Sequence, residues 1–171
     1  MFKFDYKKII SESDLFNPDK IDWIINIISN NLNTSLNKID LIIRTTGEQL
    51  SKDEKKALGI RTNAKISNRY FDSLTEKGKK DAISSAFIIV QRTLHKKSII
   101  EQHEQCRNSR LTFEVELCSP LDDRTCNAAL KLNGTKFKFE DTPELPLDKC
   151  DADYCRCVFL YHTIELQRYF E

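Results

Sequence analysis

All six cysteines of this chain fall after residue 105. A chain whose thiols are confined to one end reads as two parts held together by different means. Residues 1–108 carry the apolar helical pattern and a single late cysteine, and are read as a helical body. Residues 109–171 carry the other cysteines together with Pro120, Pro143 and Pro146, and are read as a cysteine-rich β subdomain. The expected class is α+β: a helical N-terminal body with a small β-rich, metal-stapled C-terminal subdomain.

What the cysteines mean depends on compartment. The stretch Met1–Ile10 threads charges through its apolar residues and offers neither a continuous apolar run nor a small-residue cleavage site, so it does not read as a secretory signal. No segment approaches the roughly 18 apolar residues that span a bilayer. The expectation is a cytoplasmic protein without a membrane segment, where thiols stay reduced and a disulfide frame does not form.

Composition limits the partners. Hydrophobic residues make up 40% of the chain and charged ones 31%, a balance that supports a packed core. The 27 basic and 26 acidic residues leave a net charge of +1, which removes the strongest argument for nucleic acid, a basic excess able to displace counterions. Short clusters such as Lys77, Lys79 and Lys80, or His95, Lys96 and Lys97, read as solvated helix faces.

The body reads as helices. Asn17-Pro18-Asp19 has the signature of a helix start, with Asn17 as cap. Ile21, Ile24, Ile25, Ile28 and Leu32 then recur at helical spacing. The run Ile39 to Arg44 fits a helix or a short strand. Ser51 and Glu54 form a capping-box pattern ahead of a short helix ended by Gly59. Ile66, Tyr70, Phe71 and Leu74 suggest another helix closed by Gly78. The longest helix is expected from about Lys80 to His103, burying Ile83, Phe87, Val90 and Leu94, with Ala86 between.

After Arg110 the period changes to two. Leu111, Phe113, Val115 and Leu117 alternate with polar residues, as do Lys136 to Glu140, and Val158 to Tyr161 is a third short apolar run. Asn133-Gly134 is a tight-turn signal and is read as a hairpin.

Zinc takes four soft or borderline ligands in a tetrahedron and prefers thiolates for structural sites. The favoured ligand set is Cys126, Cys150, Cys155 and Cys157, with Cys118 and His162 as substitutes. A turn through Asp151 to Tyr154 closes Cys150 onto Cys155 or Cys157, and the expected hairpin brings Cys126 alongside. On a straight strand the side chains of Cys155 and Cys157 point to opposite faces, so both reach one ion only through a bend. Two other readings remain open: reduced core cysteines, which are among the most buried residues, and a redox-sensing trio whose pKa values Lys149 and Arg156 lower.

The order Cys126, Leu130, Gly134-x-x-Phe137, Pro143-x-Leu-Pro146-Leu, Cys150, Cys155-Arg-Cys157 resembles a cysteine-rich C-terminal segment of uncharacterised bacterial proteins. It is also similar to the closing Cys-Arg-Cys motif of phage minor head (head-morphogenesis) proteins. The resemblance spans about residues 118–162 and implies a folded cysteine knuckle without supplying an activity.

Other constellations carry less chemistry. His95 and His103 lie on the long helix and read as exposed. Asp122-Asp123 and Glu140-Asp141 fall in turns, where carboxylates are solvated rather than tuned for acid–base work. The segment Leu58 to Tyr70 has the outline of a helix-turn-helix with Arg61 and Arg69 available to DNA. The leading expectation is a non-enzymatic cytoplasmic binding or adaptor protein with a structural zinc site and a protein partner. The alternatives are a metal-dependent hydrolase or nuclease using Cys and His162 with Asp151 or Asp153, and a helix-turn-helix DNA-binding regulator.

Overall fold

The structure is a computed structural model that describes residues 4–109, 111–152 and 155–164. It has the expected α+β architecture, a helical body and a small antiparallel sheet. The chain divides into two compact units, Met1–Thr93 and Leu94–Glu171. The sequence places the division after residue 108, the last residue of the longest helix; the two units part inside that helix. Among the described residues no helix is long and apolar enough to cross a membrane.

The N-terminal unit contains α1 (Tyr6–Glu12), α2 (Asp22–Asn30), α3 (Leu36–Thr45), α4 (Lys52–Ala57), α5 (Asn68–Ser73) and α6 (Glu76–Lys80). Helix α1 was not expected; Asp5 caps it by accepting from the amide of Lys8 at 3.0 Å. The isoleucine stripe of α2 is buried through Ile21, Ile24 and Ile28, while Leu32 beyond its end is 38% exposed. Ile39 and Ile43 from α3 and Ile66 join them with no exposure. Each such side chain contributes on the order of 2 kcal/mol by leaving water. The ambiguous run at Ile39 resolves as helix because Ile39 and Ile43, four apart, meet the same interior. Asp40 and Arg44 on that helix form a two-point pair at 2.9 and 2.6 Å, which raises the affinity of the guanidinium for its proton.

The caps divide into those that act as expected and those that do not. Ser51 accepts from the Glu54 amide at 3.2 Å and Glu54 accepts from the Ser51 amide at 2.7 Å, a complete capping box. Asn17 caps nothing; its side-chain amide donates to the Leu74 carbonyl at 3.1 Å, tying the start of a short 3-10 turn to a distant loop. Gly78 does not close a helix but lies inside α6, where an added Cβ would overlap the carbonyl oxygen of Leu15. The glycine is there for close backbone approach, not for termination.

Helix α7 (Ser85–Asn108) shows the largest shift from expectation. Its buried stripe in the N-terminal unit is Ala86, Ile89, Val90 and Thr93, with Ala82 from the turn ahead of it, while Ile83 and Phe87 are only partly covered. The helix is turned by about one residue, roughly 100°. Small residues cause this: the Tyr70 hydroxyl donates to the Ala82 carbonyl at 2.8 Å and Ser85 Oγ donates to the Gly78 carbonyl at 3.0 Å, so the chain approaches where side chains are short.

The C-terminal unit pairs the later part of α7 with β1 (Thr112–Cys118), α8 (Asn127–Leu132), β2 (Lys136–Phe137) and β3 (Val158–Ile164). The sheet order is β2-β1-β3, antiparallel throughout, with Val115 opposite Phe137 and Tyr161. Phe113, Val115 and Leu117 face inward as their alternation predicts. Only Lys136 and Phe137 of the second alternating run pair as strand, because Phe139–Asp141 turns into a 3-10 helix. Asn133-Gly134 is a helix-to-strand turn instead of a hairpin. Gly134 takes φ 76° after α8, and Asn133 Oδ1 accepts from the Ser119 amide at 2.8 Å. His95 and His103 are not free on the surface: His95 meets Phe159 edge-on at 5.6 Å and His103 stacks on Phe139 at 3.9 Å.

Candidate metal centre

The C-terminal apolar cluster contains Cys106, Cys126, Cys155 and Cys157 among its buried members, with Cys150 packed against it. Three local devices position the four favoured cysteines. Cys126 is the N-cap of α8, its sulfur accepting from the Ala129 amide at 3.3 Å. Cys150 ends a turn closed by its own amide on the Leu147 carbonyl at 2.9 Å. Cys155 and Cys157 lie on irregular chain just before β3 begins at Val158. That placement supplies the bend a straight strand lacks, and both side chains are 4% exposed.

The structure brings these four together. Cys126 lies within hydrogen-bonding reach of Cys150, and Cys155 of Cys157, with all four close enough to influence one another's charge. Burial, and then the neighbouring Cys126 and Cys155, push the Cys150 thiol up to about 12. The hydrogen bond with Cys155, followed by burial, pushes Cys157 upward as well. These are the reverse of the lowered values a redox trio needs. Cys150 and Cys157 therefore hold their thiol protons, and the described residues contain no group of three or more His, Cys, Asp or Glu placed to hold a metal ion. A cavity of about 10 Å³ lies among Cys126, Cys155 and Cys157, with Arg124 and Arg156 on its wall.

The two substitutes go elsewhere. Cys118 and His162 are both on the outward face of the sheet, opposite in parity to the inward Phe159. Cys118 Sγ is 3.9 Å from Glu116 Oε1, and His162 Nε2 is 2.6 Å from Glu116 Oε2. Burial and the facing carboxylate raise the Cys118 thiol.

Two polar clamps around the quartet were not anticipated. Arg156 makes a two-point pair with Asp122, one arm at 2.8 Å, joining the Cys155–Cys157 segment to the loop ahead of Cys126. Arg156 holds the Asp122 carboxyl well below the usual carboxylate range, so this turn residue is not merely solvated. Asp151 accepts from the Asn127 amide at 3.1 Å and from its side chain at 2.9 Å, and these bonds lower its pKa. The sequence hint was positional: each clamp residue is next to or within four positions of a cysteine, but nothing local says which pairs meet. Asp153 lies outside the described residues.

Elsewhere in this unit a cavity of about 490 Å³ opens beside the His103–Phe139 stack, lined also by Phe113 and Ile164. In the N-terminal unit, the segment outlined as helix-turn-helix consists of two six-residue helices, α4 and α5, joined by a long loop. Arg69 on α5 sits over the Trp23 ring at 4.7 Å, and Tyr70 is fully buried. Comparison with protein-family models, with curated proteins and with solved structures finds no match to this chain.

Proposed function

We propose that Cys126, Cys150, Cys155 and Cys157 bind one structural zinc ion, and that the chain is a non-enzymatic cytoplasmic binding or adaptor protein with a protein partner. The observation that supports the reading is the placement of four cysteines from three separate stretches of chain in one apolar cluster, Cys126, Cys155 and Cys157 within it and Cys150 packed against it. The donor set suits zinc: soft sulfur ligands in a mostly buried pocket. Four thiolates and one dication leave two negative charges, and Arg124 and Arg156 lie on the cavity wall, Arg156 with its charge shared with Asp122. When bound, the ion would contribute folding free energy, of order 10 kcal/mol apparent in zinc-finger peptides.

The neighbouring groups favour a binding role over hydrolysis. Both oxygens of Asp151 are occupied by Asn127, Asp122 is paired with Arg156, and His162 contacts Glu116 on the other face of the sheet. A protein partner accords with the net charge of +1 and with Val158, Leu160 and Ile164, which are 41–49% exposed on the outward face.

Metal analysis of the purified protein tests the reading. One equivalent of zinc is expected, with a cobalt-substituted sample showing the charge-transfer absorption of four thiolates. Less than half an equivalent, with a fold indifferent to chelator, would sink it.

A further inference from the structure

The register of the sheet opens a gap at one end. Val115 lies opposite Phe137 and Glu116 opposite Lys136, so a longer β2 would set Lys138, Phe139 and Glu140 beside Glu114, Phe113 and Thr112. The chain does not continue that way. It leaves the ladder in the 3-10 turn Phe139–Asp141, where the Lys138 carbonyl accepts from the Asp141 amide at 3.1 Å. Both sets of would-be partners, Thr112 to Glu114 and Lys138 to Glu140, line the cavity of about 490 Å³. That volume falls in the range of about 300 to 1,000 Å³ typical of small-molecule sites.

The cavity is aromatic within and charged at its rim. Phe139 stacks on His103 at 3.9 Å, and the buried Phe113 stands edge-on to Phe139 at 6.3 Å. Leu111 and Ile164 extend this apolar wall. The rim carries Arg107, Lys138, Glu114 and Glu140. Glu114 faces Lys136 at 4.0 Å, so its charge is already answered. Among the described residues Arg107, Lys138 and Glu140 have no ion pair, which leaves two cations against one anion at the mouth. The balance favours an anionic guest, and a guanidinium can hold a carboxylate at two points.

We propose that this split in the sheet is a binding site for a small, flat aromatic carboxylate. The ring fills the space that a continued β2 would occupy, packed against Phe113 and Phe139. The carboxylate meets Arg107 at the rim, with Lys138 as a second, weaker counter-charge. Arg107 is the specificity-determining residue, because it separates an anion from a neutral ring of the same shape. Binding is reversible and forms no covalent bond. The site is independent of the zinc reading, since none of Cys126, Cys150, Cys155 and Cys157 lines it.

The test is titration of the full-length protein with 2-naphthoate, followed through the NMR shifts of its backbone amides. 2-Naphthalenemethanol, the same ring system without the charge, is the comparison. Saturable binding of naphthoate is expected with a Kd of about 1 mM or tighter, the scale for a ligand of this size. The largest shifts should fall at Phe113, Glu114 and Phe139. The alcohol should bind about 10-fold more weakly, as loss of a charge-assisted contact implies. Arg107→Gln is expected to bring naphthoate down to the affinity of the alcohol and to leave the alcohol unchanged. Lys138→Gln should weaken naphthoate about threefold, and Phe139→Leu should weaken both probes alike. Equal affinity for the two probes, or undiminished naphthoate binding in Arg107→Gln, would overturn the assignment. So would shifts centred elsewhere, or no saturation by about 10 mM, ten times the expected Kd. Each of these outcomes leaves the zinc reading to be decided by metal content alone.

Discussion

In the N-terminal unit the interior is made by Ile21, Ile24, Ile28, Ile39, Ile43 and Ile66, each without exposed surface, together with Phe16 and Tyr70. In the C-terminal unit four of the buried apolar positions are cysteines, and the sheet has one strand of only two residues. Branched aliphatic side chains release their full transfer free energy on burial and need nothing else. Thiols bury less area and carry a proton whose fate depends on what is nearby. The comparison teaches that one unit is complete from its own carbon, while the other has kept chemistry in the place where carbon would have stabilised it.

The strongest way to break this contrast is to strip the proposed zinc. With free metal at 1,000 times its dissociation constant, chelation should remove about 4 kcal/mol from whatever the ion stabilises. Hydrogen exchange should show amides of β1 and β3 losing protection first, with those of α2 and α3 less affected; uniform loss, or none, would dissolve the distinction. In the other unit, Gly78→Ala forces a methyl into the Leu15 carbonyl, and a loss of about 3 kcal/mol in denaturant melts is expected without change in metal content.

Acid should separate the units as well. Burial lowers His95 to about 4 where it packs on Phe159, so the folded form keeps a neutral ring. Above the ordinary histidine value of about 6.5 both folded and unfolded chains are neutral there, and the stability is fully present. As pH falls from about 6.5 toward 4, the unfolded chain binds the proton first and stability drains away. The expected loss is on the order of 2 kcal/mol, and comparison of the parent with His95→Gln across this range isolates it. A parallel pH profile for the two proteins would show that the ring is not held neutral. The smallest effect is expected at Ser51→Ala, which opens the capping box of α4 for about 1 kcal/mol and should leave zinc uptake unchanged.

What could be read in advance follows the range of the forces involved. The capping box at Ser51 and Glu54, the α2 stripe and the alternation of Phe113, Val115 and Leu117 depend on residues a few positions apart, and they stand as expected. The rotated face of α7 does not, since Ile83 and Phe87 are as apolar as the residues that displaced them and only the close approach at Ala82 and Ala86 chose between them. Gly78 looks like a helix stop in isolation because its reason for being small, the Leu15 carbonyl, is 63 positions away. Asn133-Gly134 signals a turn correctly but cannot say that α8 precedes it.

The same division holds for the thiol site. Residue type and spacing determined the four candidates, because only cysteine offers soft, deprotonatable sulfur at Cys126, Cys150, Cys155 and Cys157. Tertiary structure decided that these four gather in or against one apolar cluster while Cys118 and His162 turn outward to Glu116, and that Cys150 alone of the four is only partly buried. The physical reason is strand parity and long-range hydrogen bonding. A one-residue offset at the start of β3 sends Cys157 inward and Val158 outward, and the pairing of Asp151 with Asn127 closes a loop of 24 residues that no local signal encodes.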